Sequence, residues 1–130
     1  MHVSQSQILT VRRDETEDGV LLVLAGEIDL SSVPVLRDSL ATCVQGGADA
    51  VDVDLTSVTF CDCAGLGTFI EAQRRLGATG GVLRLHHPRP ALVHLLAATR
   101  TAHQLLVMEP RSAPATAEEL PAGGLAPQQT

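Results

Sequence analysis

The sequence contains no lysine, no tryptophan and no tyrosine, and only two phenylalanines in 130 residues. Each absence excludes something. Without lysine there is no phosphate-binding loop of the Gly-x4-Gly-Lys type. The nine cationic side chains are all arginine, set against fifteen Asp and Glu, for a net charge of −6. The chain therefore lacks the cationic stripe that a nucleic-acid surface needs to neutralise phosphates. It also lacks the aromatic side chains on which single-stranded bases stack. No apolar run approaches the ~18 residues of a membrane-spanning helix. Met1 to Thr10 is polar and has no cationic start followed by an apolar core, so it does not read as a signal peptide. The three cysteines are an odd number without that signal, which predicts reduced thiols and a cytoplasmic protein.

Catalytic patterns are missing too. There is no Gly-x-Ser-x-Gly elbow, and the scattered Ser, His and Asp residues have no spacing that asks for a triad. His86-His87 raises the question of a metal. Adjacent strand residues point to opposite faces, however, and no spaced cysteine or carboxylate set accompanies the pair. The sequence thus predicts no catalytic residue, no cofactor and no metal site, and a binding protein rather than an enzyme.

What is present is an aliphatic core. Hydrophobic residues make up 45% of the chain, mostly Val, Leu and Ala. That is enough for one domain, placed at residues 1–109. Residues 110–130 are rich in Pro, Ala, Gly and Gln and read as a flexible tail, with one helical turn around Thr116 to Leu120.

Period and punctuation give the elements. Ile8 to Arg13 alternates and reads as an edge-like strand; an acidic turn from Asp14 to Gly19 leads into Val20 to Ala25, a continuous apolar run that predicts a strand buried on both faces. The two form a hairpin. Ser31 or Ser32 is placed to cap a helix, with Pro34 in its first turn and Val33, Leu36, Leu40, Cys43 and Val44 on its buried stripe. Val51, Val53 and Leu55 alternate with Asp52 and Asp54 as a short strand, followed by a turn over Thr56 to Thr59. Asp62 is a helix N-cap, and Leu66, Phe69, Ile70 and Leu76 share the face of the helix it opens. Val82 to His86 is a strand. Pro88 and Pro90 open a helix with Leu92, Leu95 and Leu96 inward, and Leu105 to Met108 is a last short strand. The order β-β-α-β-α-β-α-β predicts an α/β domain with a mixed, mostly parallel sheet, an N-terminal antiparallel hairpin and helices packed against it.

Two segments carry a resemblance. Gly26-Glu27-Ile28-Asp29 before the first helix, and Phe60-Cys61-Asp62-Cys63-Ala64-Gly65-Leu66 before the second, are similar to the STAS family. That family's name joins sulfate transporters and anti-sigma factor antagonists. Gly80 to Leu85 and Pro90 to Leu96 extend the similarity, which runs from about Ile8 to Met108. Without membrane spans, the antagonist branch fits better than the transporter branch. The resemblance implies a STAS-like fold and a partner, an anti-sigma factor that is also a serine kinase. Binding it frees a sigma factor, and phosphorylation of the second serine of an Asp-Ser-Ser-Gly-Leu motif blocks the binding. Carried onto this chain, the partner surface comprises Asp29, Ser31, Ser32, Thr59, Asp62, Cys63, Ala64, Gly65, Leu66 and Thr68.

The motif departs from that pattern where it matters most. Cys63 replaces the first serine and Ala64 the second, the phospho-acceptor. Ala64 has no hydroxyl, so position 64 takes no phosphate. Ser57, Thr59 and Thr68 are the nearby hydroxyls, and Thr68 lies one helical turn beyond Ala64 on the same face. An absent switch ranks above a relocated one. The alternative is an accessory STAS subunit of a larger assembly, a lipid-transport ATPase or a stress-sensing complex, which needs no switch. A third reading makes Cys63 a redox-active thiol; the plainer one makes it a small residue that packing requires.

Overall fold

A computed structural model of the chain describes residues 2–5 and 8–108. Among them the elements run β1 His2–Gln5, β2 Leu9–Glu15, β3 Gly19–Ile28, α1 Val33–Gln45, β4 Ala50–Cys61, α2 Cys63–Gly77, β5 Val82–His86, α3 Pro90–Ala98 and β6 Leu106–Met108. A 3-10 turn at Ala102–Gln104 precedes β6. The tail predicted for residues 110–130, and the helical turn within it, lie outside the described residues.

The strands form one sheet in chain order, β1-β2-β3-β4-β5-β6. β1, β2 and β3 pair antiparallel, and β3, β4, β5 and β6 pair parallel. Parallel neighbours need a crossover, and α1, α2 and α3 supply the three. Each crossover steps one strand in the same direction, so a uniform right hand stacks all three helices on one face. Burial agrees. Leu22, Leu24, Val51, Val53, Leu83 and Leu85 alternate along their strands and are all essentially sealed from solvent. They join Leu36 and Leu40 of α1, Leu66 and Phe69 of α2, and Leu92 and Leu96 of α3 in one core.

Three expectations need correction. First, β3 is not buried on both faces. Leu21 and Val23 are only half-buried and Ala25 is exposed, because the sheet face away from the helices is open. Its composition is the reason: Asp52, Asp54, Arg84 and His86 stand there beside Leu21 and Val23, and such residues tolerate water. Second, β2 is not an edge, since β1 pairs along its outer side. The polar sequence of β1 gave no alternation to read. Third, β4 does not turn at Thr56. It runs on to Cys61, and its register against β3 shifts twice, between Val23 and Ala25 and between Gly26 and Glu27. Such irregularities break the period of two. Val58 is consequently buried while Ser57 and Thr59 face solvent.

Candidate functional site

The ends of β3 and β4 lie side by side, with Ile28 opposite Cys61; β3 leads through a short turn into α1, and β4 leads almost directly into α2. Open α/β sheets place their binding surfaces at such carboxyl ends. At the end of β4 a single residue, Asp62, makes the junction. Its backbone is extended (φ −99°, ψ −170°), and one carboxylate oxygen accepts from the N–H groups of Ala64 at 3.0 Å and Gly65 at 3.2 Å. Its own N–H donates to the Ile28 carbonyl at 3.1 Å, tying the two strand ends together. Asp62 is therefore a true N-cap, delivered by a strand and not by a loop.

The junction after β3 is built differently. The Asp29 carboxylate accepts from both the N–H of Ser31 (2.9 Å) and its hydroxyl (2.7 Å). The Ser31 hydroxyl is the main reason that the Asp29 carboxyl titrates below its ordinary value. Ser32 occupies the cap position of α1, yet neither serine caps the helix with its side chain. The Ser32 hydroxyl turns back instead, donating to the Glu27 carbonyl at 2.9 Å and accepting from the Asp29 N–H at 3.0 Å. It is wholly buried and staples the turn from inside.

The ten residues placed in the partner surface thus separate by depth. Ser32, Gly65, Leu66 and Thr68 are buried and shape the surface from beneath. Ser31, Thr59 and Cys63 are exposed, and Asp29, Asp62 and Ala64 are half-buried. Thr68 shares Ala64's face, as the helical spacing predicts, and its hydroxyl donates to the Ala64 carbonyl at 2.8 Å. Gly65 is required by crowding: a β-carbon there would meet Ile28 Cγ2 at 2.4 Å and Cys61 Sγ at 2.8 Å. All three cysteines are free thiols. Cys61 is half-buried against the core, and burial pushes its thiol up to about 12.

Two further residues lie within the predicted interface segments 29–33 and 59–66 but are not among the ten singled out. Leu30, 77% exposed, sits in the turn after β3, and Phe60, 50% exposed, sits near the end of β4 opposite Glu27. Both are large apolar side chains in water at the site itself. Phe60 was legible only as a motif position. Its outward aim follows from the β4 irregularities, which no pattern of residue types announces.

A second cluster lies on the open sheet face. Arg84 Nε and Nη2 donate to the two oxygens of Asp52 at 2.7 and 2.9 Å, and His86 Nε2 lies 2.7 Å from the first of them. Burial raises the Asp52 carboxyl, but the Arg84 and His86 contacts outweigh it and the net shift is downward. A broad concavity of about 530 Å³ covers this cluster. His86 and His87 were predicted to point to opposite faces. Both line the concavity, because His87 adopts φ +58° and bends the chain. No group of three or more His, Cys, Asp or Glu among the described residues is arranged to hold a metal ion. Nor is any helix among them long and apolar enough to cross a membrane.

A one-sided sheet whose parallel strands lead into two neighbouring helix starts, one capped by Asp62, fits the STAS domain that the sequence motifs resemble. The chain belongs to that family: the family model described as "Mlab, STAS domain" matches residues 11–108. Within it the chain is similar to anti-sigma factor antagonists. It is 35% identical to the anti-sigma-B factor antagonist of Bacillus subtilis (strain 168) over 81 residues, 62% of this chain and 73% of that relative. Solved structures share the fold. An anti-sigma factor antagonist from Mycobacterium paratuberculosis superposes with a TM-score of 0.69 at 21% identity, over 76% of this chain and 84% of that one. The Bacillus cell fate determinant SpoIIAA in its phosphorylated form gives 0.61 at 22%, over 76% and 91%.

Proposed function

We propose that this protein is an anti-sigma factor antagonist that docks a kinase-type anti-sigma factor on the starts of α1 and α2, with no phosphoswitch at position 64. The observation that carries the reading is the surface itself. Two large apolar side chains, Leu30 and Phe60, project into water at adjacent strand ends, beside the acidic Glu27, Asp29 and Asp62. Apolar groups set in a polar rim are the anatomy of a protein interface.

The same geometry bears on regulation. A phosphate at a helix start adds roughly two negative charges, and beside Asp62 it would repel an acidic partner group and reshape the fit. Ala64 supplies no acceptor for it. Thr68 does not replace it, because its hydroxyl is buried and bonded to the Ala64 carbonyl. The surface then has no switch at position 64 or at Thr68. An accessory subunit of a lipid-transport ATPase or a stress-sensing complex would also need no switch, and the identity of the partner separates the two readings.

The experiment mixes the protein with kinase-type anti-sigma factors, with and without ATP. The reading expects a complex that ATP does not dissolve and no phosphate on the protein. It also expects Ala64→Ser to become labelled at position 64 and to lose the complex when ATP is added. No complex with any such kinase, or wild-type protein that is phosphorylated and released, would contradict it.

A further inference from the structure

We propose that Arg89, beside Phe60, extends the docking surface toward α3, and that the partner meets the two with an apolar side chain beside a carboxylate. The inference rests on the reading of the helix starts as a docking surface and adds the chemistry of what binds there.

The observation begins with a free edge. β5 pairs with β4 only as far as Asp54 opposite His86, so the stretch of β4 from Leu55 to Cys61 has no strand on that side. Arg89 fills part of the gap. It is the N-cap residue of α3, extended (φ −70°, ψ 154°) as the following proline favours, and its Nε donates to the Val58 carbonyl at 2.6 Å. That bond satisfies an edge carbonyl and fixes the plane of the guanidinium. No described residue answers its charge. The ion pairs of the described residues join Arg12 to Asp14, Arg13 to Glu15, and Arg84 and His86 to Asp52, and none reaches Arg89.

Arg89 and the half-exposed Phe60 line one dimple between β4 and α3, floored by Val58 and Leu92. Its volume, about 20 Å³, admits the tip of one side chain. Small-molecule sites are larger by an order of magnitude, roughly 300 Å³ and up, so a metabolite is excluded on size. Aromatic residues, phenylalanine among them, and arginine are enriched at protein interfaces. A guanidinium already oriented loses little freedom when it pairs, and its remaining N–H groups match a carboxylate. The surface is consequently dipolar. Glu27, Asp29 and Asp62 make one flank acidic, and Arg89 makes the α3 flank basic, which fixes the register of a partner carrying the opposite arrangement.

The test measures affinity for the kinase-type anti-sigma factor over a range of salt concentration. Phe60→Ala and Arg89→Gln are each expected to weaken binding roughly tenfold or more. Glutamine keeps an N–H donor for the Val58 carbonyl, so its melting temperature reports whether the edge survives. Arg89→Gln should also flatten the salt dependence, which a purely structural role would not do. Arg75→Gln, in the last turn of α2 away from the site, should leave affinity unchanged. If Leu30→Ala and Phe60→Ala weaken binding while Arg89→Gln does not, or if the salt slope is unaltered, the extension is overturned and the docking surface at the helix starts stands. If the wild-type protein does not bind, or Leu30→Ala and Phe60→Ala are both silent, the underlying reading fails and takes the extension with it.

Discussion

Two glycines of α2 separate packing from mere helix propensity. At Gly65 a β-carbon would press on Ile28 and Cys61, whereas at Gly67 nothing lies within 4 Å. Gly65→Ala is therefore expected to lower stability by about 1–3 kcal/mol through overpacking. Gly67→Ala should raise it by about 0.5–1 kcal/mol, because alanine is the better helix former. Urea unfolding of the two variants checks both, and equal effects would mean that the strand-to-helix junction is looser than described. The acid limb of stability belongs to the same scale. Asp52 and Asp54 both titrate below the ordinary carboxyl value of 3.8: burial pushes each up, and the bonds from Arg84 and His86 to the one, and from Thr56 to the other, push harder the other way. A depressed folded value means that the contribution is complete above about pH 4 and is lost as pH falls through the lowered value. Asp52→Asn should cost about 1 kcal/mol at pH 7, and the difference from wild type should shrink as pH drops below 4. A difference independent of pH would rule this linkage out.

Among the elements, legibility followed regularity. α1, α2 and α3 were readable because their apolar residues recur at helical spacing, and β2, β3 and β5 because theirs alternate or run together. β4 was read only to Leu55. Beyond it the register against β3 shifts twice, so Thr56 to Thr59 looks like a turn although it is strand. The apolar run of β3 reads the same whether one face or two are covered, and only the polar residues of β4 and β5 opposite it hold the answer. Of the site, the Asp62 cap was legible because capping is local chemistry. The role of Ser32 was not, because its hydroxyl bonds backward to Glu27 and Asp29 and not forward into α1. Removing it should unseat the β3–α1 turn. Ser32→Ala is expected to cost about 1–2 kcal/mol, because it takes the hydroxyl partner from a part-buried carbonyl and N–H. Ser31→Ala, at the exposed neighbour, should stay within about 0.5 kcal/mol. Thermal denaturation of the pair distinguishes a staple from a surface hydroxyl, and similar losses would argue that Ser32 is no staple.

At the scale of the molecule, two surfaces compete for a partner: the helix starts at the carboxyl ends of β3 and β4, and the open sheet face around Asp52 and Arg84. Charge and exposure favour the first. The ionic groups of the open face already answer one another through Arg84, His86 and Asp52, whereas Leu30, Phe60 and Arg89 are left unanswered by the described residues. Amide hydrogen exchange on the protein, alone and in complex with a kinase-type anti-sigma factor, reads the two surfaces in one measurement. The account predicts slowed exchange at residues 28–33 and 59–66 and no change across Leu21, Asp52 and Arg84. Protection confined to the sheet face, with both helix starts exchanging as in the free protein, would contradict it.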